Sequence, residues 1–380
     1  MLIFEIYDLA RFKKGLNVES FDIITFLKRA VKAGASDEHL RVGHPPYLRK
    51  NGFVQKTNLS PLTKDELENA FMTIATNLSK DDLIKPDIDF MFEIDGFSRF
   101  RVNYSKQVGD PALVIRNIPY KVPTPDELFL PETLYDTINY SNGIIIVTGQ
   151  TGSGKSTTIA SLINQINTLQ AKHIVTIEDP IEYVFKSKKS IISQRQAEVD
   201  TPSFSSGLKY ALRQDPDVIF LGEIRDAETM SAALKASETG HLVLTTLHTN
   251  DAVQTINKII NMFDTASRDY IRKQLADTLR VVIAQKLVYS NSLNKRFPAC
   301  EVVVITSTIR DYIIKGNTDE IYKLMNENVV DDMISMNLSL ARLVELGKIS
   351  EEEALQSSNE PNELQKIFSG VYQGTKTYYE

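Results

Sequence analysis

Apolar and polar positions change rhythm partway along the chain. In residues 21 to 118, short helical and alternating patterns are mixed. "FDIITFLKRAVKAGASD" carries apolar residues at helical spacing and stops at Gly34. "PYLRKNGFVQ" sets Asn51-Gly52 between two short runs, which predicts a hairpin. "FSRFRVNYSKQ" and "PALVIRNIP" alternate as two further strands. These patterns predict an α+β module with an antiparallel sheet. "NIPYKVPTPDEL", with Pro119, Pro123 and Pro125, reads as a linker over residues 119–125.

Beyond it, strands and helices alternate. "GIIIVT", "HIVTIE", "DVIFLG" and "HLVLTTL" read as strands; Lys155–Leu169, Phe204–Arg213 and Ala227–Thr239 carry helical patterns. Such alternation predicts an α/β fold, a parallel sheet with helices on both faces. Residues after 305 read as helical and end in a polar tail. The start, "MLIFEIYDLARFKKGL", reads as an amphipathic packing or docking helix. Its acidic residues come early and its basic ones late, the reverse of a secretory signal.

Composition narrows the classes. A chain of 380 residues holds two or three domains at roughly 150 residues each. Net charge is −6 and no basic-aromatic stripe stands out, so a nucleic-acid partner is not expected. Cys300 is the only cysteine, which excludes an internal disulfide framework and a cysteine-built zinc site. No apolar run approaches the roughly 20 residues of a bilayer span, and a cytoplasmic protein is expected.

The chemistry starts at "GQTGSGKST", Gly149 to Thr157, which matches G-x-x-x-x-G-K-[ST] between a strand and a helix. In such a loop Gly149, Thr151, Gly152, Ser153, Gly154 and Thr157 turn backbone N–H groups toward phosphate oxygens. Lys155 would bridge the β- and γ-phosphates, and Ser156 would ligate Mg2+. ATP with Mg2+ is the expected ligand pair.

Each later strand delivers a polar residue to its C-terminal end, where doubly wound sheets bind ligands. These are Glu178 and Asp179, then Glu223, then His248. Many nucleotide hydrolases have an Asp where this chain has Gly222, so Glu178 or Asp179 would balance the metal charge. Glu223 would then orient or deprotonate the attacking water, although Glu178 and Glu223 could exchange roles. His241 lies seven positions before His248 across a strand, on the order of 20 Å when extended. His248 is the expected sensor of the chain's own nucleotide, and His241 packs or touches a neighbour.

Together with "TIEDPIEYVF", "ALRQDPDVIFLGEIRDAET" and "ASETGHLVLTTLHTNDAVQTINKII", the loop resembles the secretion-ATPase superfamily. "AVKAGASDEHLRVGHPPYLRKNG" and "RFRVN" extend the likeness toward the type IV pilus retraction, or twitching-motility, ATPases (the PilT/PilU group). The resemblance implies a PAS-like domain over 21–118, joined to a RecA-like ATPase domain over 126–380 with a helical C-terminal region. Residues 1–20 have no counterpart in it.

It also implies a homo-hexamer acting on an inner-membrane pilus platform protein, peripheral to that membrane, with a paralogous retraction ATPase as a further partner. By resemblance Glu178–Asp179 is the Asp box, Glu223 the catalytic glutamate, and His241 and His248 belong to the His box. Arg99, Arg101 and Arg116 correspond to arginines that reach the nucleotide. The lack of a long N-terminal region and of a four-cysteine insertion favours retraction over the alternatives, a pilus extension or type II secretion motor. A non-motor accessory subunit is a third reading. One departure concerns coupling: where many retraction ATPases read close to "AIRNLIREGK", this chain has "STIRDYIIKGN", Ser307 to Asn317.

Overall fold

The computed structural model describes residues 21–76, 78–118, 121–326 and 333–370. The amphipathic helix expected at the N-terminus and the end of the polar tail lie outside these residues. The chain divides into two compact units between Lys121 and Val122.

The first unit is a six-stranded antiparallel sheet. Its strands are β1 (Asp37–Arg41), β2 (Tyr47–Lys50), β3 (Phe53–Lys56), β4 (Ile88–Ile94), β5 (Ser98–Gln107) and β6 (Asp110–Ile118), in the order β3-β2-β1-β6-β5-β4. β2 and β3 form the expected hairpin, with Asn51 at φ 55 and Gly52 at φ 93, the paired positive φ of a type I′ turn. The helix Ile23–Lys32 is capped by Asp22 and followed by Gly34 at φ 78. Its Phe26 and Leu27 join Leu67 and Phe71 of the helix Lys64–Ile74 over Phe100, Val102, Leu113 and Ile115 of the sheet. Alternation along β5 buries Phe100 and Val102 and leaves Arg99 and Arg101 on the opposite face.

The second unit holds β7 (Gly143–Thr148), β8 (His173–Glu178), β9 (Ile191–Gln196), β10 (Val218–Leu221), β11 (Leu242–Leu247), β12 (Leu279–Ser290) and β13 (Lys295–Val304). The order is β13-β12-β7-β11-β10-β8-β9, parallel except for the β12–β13 pair. Four of these strands are the ones expected. Helices Lys155–Leu169, Phe204–Ala211 and Ala227–Glu238 lie where helical patterns were read, the last two ending slightly earlier.

Both faces of the sheet are buried. Ile144 and Ile146 of β7 pack into one core with Leu208, Leu234 and Ile256, while Ile145 and Val147 pack into another with Ile159, Leu162 and Ile163. That two-sided burial is why the parallel strands read as unbroken apolar runs. The C-terminal helices Met336–Glu345, Glu351–Ser357 and Pro361–Phe368 bury a smaller cluster against Val288, Phe297 and Ala299 of β12 and β13.

Candidate active site

β7 ends at Thr148, and the loop Gly149–Gly154 then turns the chain into the helix Lys155–Leu169. Gly154 stands before that helix in the left-handed region, φ 89, and no side chain caps the first turn. No acidic residue lies in that turn either. The helix therefore presents amide donors and its positive dipole end with no internal acceptor from a cap, the arrangement that receives phosphate. Lys155, 8% exposed, donates to the carbonyls of Gly149 (2.9 Å) and Gln150 (3.0 Å). Burial pulls its ammonium below the ordinary lysine value, opposed by the nearby charges of Glu223 and Glu182. The hydroxyl of Thr157 lies 3.2 Å from that of Tyr183. A cavity of about 500 Å3 opens beside the loop, with Gln285–Leu287 of β12, Arg296 and Asn359 on its far wall.

The carboxylates gather at the same edge. Glu178 is buried at the end of β8, accepting from the Thr176 hydroxyl (2.7 Å) and the Gln194 amide (3.1 Å). Burial pushes its carboxyl up to about 7 against those two donors. At Gly222 a Cβ would meet Glu178 Cα at 3.3 Å and the Ile177 carbonyl at 3.4 Å, so the end of β8 packs closely against this position. Glu223 forms an ion pair with Arg225, and His248 Nε2 lies 3.3 Å from its carboxylate. Arg225 also lies 3.7 Å from Asp179. One guanidinium thus links Asp179 to Glu223.

Arg225 and Glu182 were not singled out from the sequence. A charged residue four positions past a strand is ordinary in a loop, and only the folded edge shows what these two face.

His241 sits before the start of β11, with Nδ1 2.9 Å from the Ala236 carbonyl. His248 follows the end of the same strand. The chain's own site therefore gathers His248 and leaves His241 out, because a strand separates them.

The three arginines belong to the other unit, and each has a carboxylate there. Arg99 pairs with Glu93 (3.5 Å), Arg101 with Asp89 (3.9 Å) and Arg116 with Asp37 (2.9 Å). Register places Arg101 directly across from Arg116, and Arg116 across from Asp37, so Arg101 and Arg116 share one face of the sheet. Like charges face each other there in spite of the repulsion.

Fold and loop define a P-loop ATPase with a RecA-like core. The chain belongs to the Type II/IV secretion system protein family, whose model matches residues 127–375. It is 39% identical to the type IV pilus retraction ATPase PilT of Pseudomonas aeruginosa, over 90% of this chain and 99% of that protein. To the type IV pilus ATPase PilU of the same organism it is 35% identical, over 89% of each. Among solved structures, that of the pilus retraction motor PilT with bound ADP superposes with a TM-score of 0.81 and 40% identity, covering 91% of this chain and 99% of that one.

Proposed function

We infer that this chain is an ATP-driven motor of type IV pilus retraction. The observation that carries the reading is the combination of near full-length similarity to PilT with an uncapped, carboxylate-faced phosphate loop. Lys155 exchanges its two loop carbonyls for the β- and γ-phosphates, and the open amides of the first helical turn bind the remaining charge. Glu223, near enough to Lys155 to raise its proton affinity, orients the attacking water. Arg225 and His248 hold that carboxylate between turnovers and release it when phosphate draws them away.

Mg2+ fits this edge. Among the described residues no three acidic, histidine or cysteine groups form a cage of their own. Ser156 with Glu178 would supply the few oxygens the ion takes from protein when phosphates complete its shell. Bound there, it would neutralise charge developing on the transferring phosphoryl group.

A hexameric ring is the assembly proposed. It would bring Arg99, Arg101 and Arg116 of one subunit, together with His241, to the nucleotide of the next. The ring acts from the cytoplasm on an inner-membrane platform protein, with a PilU-like paralogue as a further partner. No helix among the described residues is long and apolar enough to cross a membrane. Membrane contact would therefore come through the partner.

Two substitutions in the full chain test the chemistry. Lys155→Ala abolishes ADP binding, whereas Glu223→Gln retains it and lowers kcat by about a hundredfold or more. Turnover by Glu223→Gln at the wild-type rate would remove Glu223 from this role.

A further inference from the structure

One side chain grips the phosphate loop from the neighbouring strand. Gln285 of β12 is 4% exposed. Its Nε2 donates to the Ser153 carbonyl at 2.7 Å, and its Oε1 accepts from Thr158 Oγ1 at 2.7 Å. One amide thus ties a carbonyl inside the loop to the first turn of the helix that follows. The Ser153 oxygen can only accept, which fixes which end of the amide faces it.

The approach is close. A Cβ at Gly154 would lie 2.8 Å from Gln285 Nε2, and a Cβ at Gly149 would run into the Gln285 backbone carbonyl. Two glycines of the motif therefore make room for β12. Gly152, by contrast, has nothing within 4 Å of where its Cβ would be.

We propose that Gln285 is a positioning residue for nucleotide binding, setting the direction of the Gly154 amide. The peptide between Ser153 and Gly154 is planar and trans, so its C=O and N–H point opposite ways. Pinning the Ser153 oxygen toward β12 aims the Gly154 N–H away from β12. That amide stands immediately before Lys155, where the β-phosphate of a nucleoside di- or triphosphate is read to sit. The inference rests on the phosphate-binding reading of the loop given above.

Full-length Gln285→Leu, Gln285→Glu and Thr158→Val are compared with wild type and Lys155→Ala for ADP affinity, ATP KM, kcat and unfolding midpoint. Gln285→Leu removes both bonds and raises the ADP Kd and ATP KM about tenfold, with a smaller change in kcat, because the Glu223 edge is untouched. Gln285→Glu is assayed at about pH 9, above the values of about 7 and about 8 to which burial pushes Glu178 and Glu38. Ionised there, it still accepts from Thr158 but cannot donate to Ser153, so it behaves like the leucine variant. Thr158→Val gives a rise of about threefold, and the double variant with Gln285→Leu is no worse than Gln285→Leu alone, since both act through one amide.

Lowered midpoints with wild-type ADP affinity and KM would make Gln285 a structural residue only and overturn the proposal. If the leucine variant does not fold, the same two outcomes are read from Gln285→Glu and Thr158→Val. Wild-type ADP binding by Lys155→Ala would instead overturn the reading of the loop itself.

Discussion

At position 222, where other nucleotide hydrolases carry an Asp, the end of β8 stands close against Gly222 and brings Glu178 with it. The two glutamates are then held very differently. Glu178 is buried among hydrogen-bond donors, while Glu223 is paired with the Arg225 guanidinium and faces the His248 imidazole. The candidate residues at this edge were legible because each follows an apolar strand in sequence. Arg225 and Gln285 were not, since what each does depends on an element the local pattern does not mention; Gln285 meets Thr158 across 127 positions.

Another buried carboxyl makes a prediction in the first unit. Glu38 is fully buried on β1, accepting from the Asn117 amide at 2.7 Å. Burial pushes its carboxyl from 4.5 up to about 8, helped by the charge of Asp37 and opposed by Asn117. The folded chain therefore keeps a proton that the unfolded chain has released. Stability from this group is full below about pH 4.5 and is lost as pH rises through about 8. Glu38→Gln mimics the neutral acid. Its unfolding midpoint stays near wild type at about pH 4, below the unfolded value, and exceeds it increasingly above that, by on the order of a few kcal/mol in stability at about pH 9. Equal midpoints at the higher pH would show that Glu38 is not held neutral.

At the scale of elements, local chemistry and long-range pairing separate. The β2–β3 hairpin was legible because Asn51-Gly52 supplies the two positive φ angles its turn requires. Gly52→Ala forces a Cβ into φ 93 and destabilises the first unit by about 1–2 kcal/mol, read as a lower denaturant midpoint; an unchanged midpoint would mean the turn relaxes freely.

β7, β8, β10 and β11 were legible because burial on both faces makes them continuous apolar runs. β1 was missed because Asp37, Glu38 and Arg41 are poor strand formers; Asp37 is held there by Arg49 and Arg116, and Glu38 by Asn117. β9, "IISQRQ", is a polar edge strand with no apolar period. β13 carries Pro298, which ordinarily demotes a strand to an edge, and an edge is where β13 lies.

For the whole molecule, two units and a family-wide likeness were readable because the first third and the remainder follow different patterns. The assembly was not readable from one chain's periodicity. Arg101 and Arg116 share a sheet face and Arg99 lies on that same outward side of β5, while Asp37, Asp89 and Glu93 offset part of their charge. In the proposed ring such a face meets a neighbour's nucleotide, which would explain why like charges are kept opposed.

The most direct test of pilus retraction is the number of surface filaments on cells lacking this chain, complemented in parallel with wild type or Glu223→Gln. The account predicts excess filaments that fail to retract, returned to normal by wild type and not by Glu223→Gln. Bald cells, restored to piliation by wild type, would mean that the motor extends filaments and would contradict it.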